Sequence, residues 1–154
     1  MTISKLLTAT VLGGAITAGA AFAAGPAENA IKARKAAMQL YAFNLGQLGA
    51  MAKAEAAYDA AAASAAASNL VALASLDQSA LWPEGSDSLS AENTRALPDL
   101  WENLPDVMQK SQEMISAAEA METAAGTDLA ALQEAMKALG GACGACHKPY
   151  RAPD

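Results

Sequence analysis

Apolar side chains recur every three to four residues along nearly all of 27–150, and nowhere do they alternate singly with polar ones. A period near 3.6 buries one stripe of a helix, whereas a half-buried strand needs a period of two. The pattern confines the chain to all-helical folds. Ile31, Met38, Leu45 and Ala52 lie seven apart with Tyr41 and Leu48 between them, which predicts a long first helix over 27–52 with Met38 turned into the bundle. A second helix is expected over 56–76, where the alanine run 60–67 has high helix propensity and Leu70, Val71, Leu73 and Ala74 supply a buried end. A third seam runs through Leu97, Leu100, Leu104, Val107, Ser111, Met114, Ala118 and Met121. Pro105 does not suit a helix interior, so a short turn over 98–103 should precede a main helix capped by Asn103. Gly126 ends that helix, Thr127-Asp128 caps the next, and Leu129, Leu132, Met136, Leu139, Cys143, Cys146 and Tyr150 carry the seam onward. Residues 77–98 read as a connection of about 20 residues, long enough to be tied down or functional, with Leu81 and Trp82 as its anchors. The architecture expected is all-α, an antiparallel four-helix bundle.

The first residues belong to a different kind of segment. Lys5 gives a short positive region, 6–18 is an apolar run, and Ala21-Phe22-Ala23 has the small-x-small pattern of a cleavage site. Residues 1–23 are expected to be a secretory signal peptide and 24–154 the mature domain. The alternative, a membrane anchor, needs about 20 apolar residues, and this run is shorter, broken by glycine and followed by Gly25-Pro26. No membrane span is expected in the mature protein, which is assigned to the periplasm. A net charge of −6 argues against a nucleic-acid partner, and positive mean hydropathy with 17% charged residues argues against a disordered tail.

Chemistry concentrates at one place. Cys143-Gly144-Ala145-Cys146-His147 has the C-x-x-C-H spacing of c-type haem attachment. Two thiols three residues apart share a helical face and can add across two vinyl groups, and His147 on the same turn then lies beneath the iron. Three other readings compete: a Cys143–Cys146 disulfide, a thioredoxin-like redox pair, and a zinc site. The redox motif normally sits among βαβ units, and zinc wants a fourth ligand that is not evident. His147 is the chain's one histidine, and both cysteines of the chain lie in the motif. One covalently bound haem c is therefore the expected cofactor. Helices this rich in alanine and this poor in aromatics would leave voids, which a macrocycle between them would fill. No catalytic Ser/His/Asp set or partnered carboxylate pair is present, so an enzyme is not expected.

A C-x-x-C-H in the last helix of an exported helical chain resembles the class II cytochromes c, the cytochrome c′ family. The similarity extends through Ile31-Lys32-Ala33-Arg34-Lys35, Leu81-Trp82-Pro83-Glu84-Gly85-Ser86, Leu100-Trp101 and the run from Leu139-Gly140 to Arg151. Gly144 departs from it, standing where many members have lysine. The resemblance implies one haem in a four-helix bundle, with a homodimer formed through the first two helices. It also implies a choice between two functions. Low-spin relatives ligate iron with a first-helix methionine and carry electrons; high-spin members leave that position open and bind nitric oxide or other small gases. Met38, four residues after Arg34, matches the methionine position. The first reading is a periplasmic carrier of single electrons between redox partners, with His147 and Met38 on the iron; the alternative is a five-coordinate gas binder. Arg34 and Lys35 are candidates for haem-propionate contacts, against the plain alternative of a solvated helix face. Met51, Met108, Met114, Met121 and Met136 are expected in the core, and Tyr41 and Tyr150 as packing residues with wet hydroxyls.

Overall fold

The structure, a computed structural model, describes residues 25–153. The expected signal peptide 1–23 lies outside them. Four long helices dominate: α1 (Pro26–Ala52), α2 (Ala60–Ala74), α4 (Leu104–Ala125) and α5 (Leu129–Tyr150), with a one-turn helix α3 (Asp99–Glu102) before α4. Among the described residues there is no strand, only an isolated bridge between Ala96 and Arg151. The chain is an antiparallel four-helix bundle.

Side-chain partners fix the registers. Asn69 Nδ2 donates to Asn44 Oδ1 at 3.0 Å between α2 and α1. Ser68 donates to Glu122 between α2 and α4. Gln133 Nε2 reaches Ala52 O at 2.7 Å, joining the start of α5 to the end of α1. The helices thus form a closed ring in which each packs antiparallel on its two neighbours. Leu48, Leu70, Met121, Leu132 and Leu139 are its largest fully buried apolar side chains, surrounded by Ala63, Ala66, Ala67, Ala118 and Ala125. Small residues let the backbones approach closely: a Cβ at Gly126 would lie 2.5 Å from Ser64 Oγ.

Several local expectations are corrected. α2 starts at Ala60 rather than 56, because the Asp59 carboxylate accepts from the backbone N–H groups of Ala61 and Ala62 and caps the helix there. Asn103 stands at the cap position of α4 but does not cap it; its amide instead donates to Asp99 O. Pro105 falls in the first turn of α4, where its missing N–H costs nothing. Met108 is exposed rather than core, since the seam of α4 is buried only toward its end, at Ala118, Met121 and Ala125. The Tyr150 hydroxyl is not left to water: it donates to Asp106.

Candidate functional site

Cys143, Cys146 and His147 lie on the last two turns of α5, each half-buried. Both cysteines are free thiols, and burial pushes both above the ordinary thiol range. A redox-active pair works through its thiolate, the form that this burial disfavours. Zinc fares no better, because no group of three or more His, Cys, Asp or Glu among the described residues could hold a metal ion. His147 is pushed below the ordinary histidine range, first by burial and then by Arg151 and Arg95, which favours the neutral imidazole that ligates metals.

Met38 is on the facing helix. Ala52 pairs with Gln133, and Gly49 lies against Met136, whose Cε would be 3.9 Å from a Cβ at Gly49. Both helices rise equally per residue, so the same antiparallel register brings Tyr41 near Cys143 and Met38 level with His147. Tyr41 does feel the Cys143 thiol electrostatically. Met38 is 40% exposed, which corrects the expectation that its side chain is turned wholly into the bundle. A strict seven-residue stripe drifts about 20° per heptad around a straight helix. The buried face of α1 accordingly follows Ile31, Arg34, Tyr41, Asn44, Leu48 and Met51, and no residue between Arg34 and Tyr41 is buried.

Arg34 is the largest surprise. It is 4% exposed, so the solvated-face alternative fails. Its guanidinium donates to Ser86 Oγ at 2.7 Å, Thr94 Oγ1 at 2.6 Å, Leu81 O at 3.3 Å and Ser86 O. It also lies 4.8 Å from the ring centre of Trp82, whose carbonyl accepts from Trp101 Nε1. Arg34 therefore ties α1 to the long connection 77–98 and, through Trp82, to α3. Lys35 stays exposed and reaches Asn93 O at 3.3 Å. The two candidates for propionate contact thus differ: Arg34 is committed to the connection, while Lys35 holds it by one weak bond.

Two thiols and an imidazole at the end of α5 form a soft, nitrogen-and-sulfur donor set. It suits haem iron and its vinyl groups better than any hard cation. The site and the fold together define a haem-c-binding helical bundle. The comparisons agree and give the family: residues 29–151 match the model of Cytochrome C′. The chain is 51% identical over 127 residues to cytochrome c-554 of Cereibacter sphaeroides, covering 82% of this chain and 96% of that one. Among solved structures it is similar to cytochrome c′ from Rhodobacter Spheriodes, with a TM-score of 0.81 and 38% identity over 83% of this chain and 98% of that one. A second, at TM-score 0.76 and 30% identity over 85% and 99%, is a cytochrome c′ with ligand-controlled dimer dissociation. The chain belongs to the cytochrome c′ family, whose cofactor is covalently attached haem c.

Sequence reasoning missed what stands behind the motif. Met114 Sδ of α4 lies 3.8 Å from Cys143 Sγ, and Tyr150 is locked to Asp106 of α4, which also holds Lys110. The three-four spacing of α4 contained the signal, since Asp106, Lys110 and Met114 fall on one face.

Proposed function

We propose that this chain is a periplasmic electron carrier in which Cys143 and Cys146 attach the haem and His147 and Met38 hold its iron. Its electrons pass to and from periplasmic redox partners, and it is not an enzyme. Met38 carries the reading: a thioether one turn beyond Arg34, level with His147 across the α1–α5 register, on the one stretch of α1 between Ile31 and Met51 where no residue is buried for six positions. Bound there, the haem supplies a one-electron iron couple. The neutral imidazole of His147 and the soft thioether of Met38 both favour the lower charge of reduced iron. In this reading a Met38 thioether on the iron would compete with a small gas for that position. The greater identity to cytochrome c-554 than to the cytochrome c′ of known structure points the same way.

Residues 1–23 act in this reading as the export signal that brings the chain to the compartment where haem is attached. Among the described residues, no helix is long and apolar enough to cross a membrane. Leu40 and Phe43 on α1 and Leu76 just beyond α2 are exposed, and they support a homodimer formed through the first two helices.

The oxidised spectrum tests the iron ligands. Methionine ligation gives a low-spin protein with a weak charge-transfer band at the red edge, and Met38→Ala abolishes it. A high-spin wild type without that band, unchanged by Met38→Ala, overturns electron carriage in favour of the gas-binding form of the family.

A further inference from the structure

The antiparallel contact between α4 and α5 forms a ladder of three rungs. At one end Tyr150 donates its hydroxyl proton to Asp106 Oδ2 at 2.5 Å. At the other, Cys143 Sγ approaches Met114 Sδ at 3.8 Å. Between them, one turn from each, Lys110 of α4 stands opposite Cys146 of α5.

Lys110 differs from Lys32 and Lys137, the other lysines seen in ion pairs among the described residues. Its side chain is 20% exposed, whereas those of Lys32 and Lys137 are 64% and 74% exposed. Its Nζ is held by Asp106 Oδ1 at 3.0 Å, and Asp106 is fixed in turn by Tyr150. A covered cation in a rigid position is screened weakly by water and salt, so its field acts over a longer distance than that of a surface lysine.

We propose that Lys110 sets the redox balance of the haem carried on Cys146, as a fixed cation that favours the reduced iron, with Asp106 as its opposing charge. Oxidation removes one electron and leaves one more positive charge on the iron, and a cation beside the attachment sulfur disfavours that change. The inference rests on attachment at Cys143 and Cys146 and is independent of whether Met38 is a ligand. Met114 is uncharged and serves as packing behind the first sulfur.

The test is the midpoint potential of the holoprotein by spectroelectrochemical titration. Lys110→Gln leaves Asp106 unopposed and is expected to lower the potential, so that the reduced-to-oxidised ratio at fixed applied potential falls several-fold. Asp106→Asn is expected to move the ratio the other way. Lys110→Arg keeps the charge and should stay near wild type, and Lys137→Gln, at an exposed site, should leave the ratio unchanged. A purely structural role for the pair would shift both variants in one direction, because each breaks the same ion pair. Shifts of the same sign, or none in either variant, overturn the proposal. A pyridine haemochrome spectrum of each protein reports the thioether bonds separately. A wild-type spectrum without two thioethers overturns the attachment reading and this proposal with it; a two-thioether spectrum with same-sign shifts overturns this proposal alone.

Discussion

At the end of the bundle where α1 turns into α2 and α4 into α5, Leu48, Ala63, Ala67, Leu70, Met121, Ala125 and Leu132 have no accessible surface at all. At the other end, α1 from 35 to 40, α4 from 104 to 117 and α5 from 140 to 149 contain no buried residue. Ile31 and Leu100 are buried at the tip of that end, but the stretch of α1, α4 and α5 behind them is not closed by aliphatic side chains. The glycines mark the difference. A Cβ at Gly126 would collide with Ser64, whereas one at Gly140, Gly141 or Gly144 would meet nothing within 4 Å. At the first end glycine is a condition of close packing; at the second, α5 presents a low surface on which Cys143, Cys146 and His147 stand half-buried. Side chains alone complete the first end, and the haem of this family is the natural complement of the second.

The largest expected effect tests that division directly. Cys143→Ala combined with Cys146→Ala removes both attachment points. The closed end keeps its helices and most far-ultraviolet circular dichroism survives, but Trp82 and Trp101, at the open end, lose their fixed surroundings. Near-ultraviolet ellipticity should collapse and the melting transition should broaden. A native near-ultraviolet spectrum with an unchanged cooperative melt would show that the open end closes without its cofactor, and the comparison would be broken.

The next effect is sharper because the same atoms are deleted at both ends. Leu132→Ala opens a cavity in the fully buried cluster and should cost about 2–5 kcal/mol in denaturant unfolding. Leu104→Ala removes an exposed side chain at the start of α4 and should fall within about 0.5 kcal/mol of wild type. Equal losses at the two positions would mean that Leu104 belongs to a core continuous with Leu132.

How far this was legible in the sequence follows from the range of the interactions. The motif at 143–147 is contiguous on one helix, so spacing alone exposed its chemistry. The bounds of α1, to within a residue, followed from the apolar period, and the short turn before α4 followed from Pro105. Periodicity reports which face is buried but not how burial varies along the axis, so it put Met108 in the core and Met38 inside the bundle. Asp59 looks like any turn residue until its carboxylate is seen to meet two backbone N–H groups, which moved the start of α2 by about a turn. Arg34 was illegible for a different reason. Its acceptors lie between Leu81 and Thr94, 47 to 60 residues away, and no local pattern announces them. Lys110 and Asp106 were hidden likewise, because their meaning depends on the register of α4 against α5.

The smallest effect concerns that register. Tyr150 lowers the Asp106 carboxyl below its usual range through the bond it donates, and Lys110 adds to the shift. The folded chain then binds a proton at Asp106 less readily than the unfolded chain does. The stabilisation is full above the unfolded aspartate value of about 3.9 and is lost as pH falls through the lower folded value. Tyr150 itself is pushed up to about 12, mainly by the same bond, so on the alkaline side the contribution is full below its ordinary value and is lost as pH rises toward that figure. Tyr150→Phe removes the donor and leaves Lys110 in place. Thermal melts of the two holoproteins should therefore differ by a constant amount across neutral pH, and the difference should shrink as the buffer is taken from about pH 5 to pH 3. The side chain of Asp106 is 46% exposed, so the change is small and should diminish with added salt. A difference that stays constant down to pH 3 would show that Tyr150 acts by packing alone, and that α4 and α5 are not coupled at the open end through the Asp106 charge.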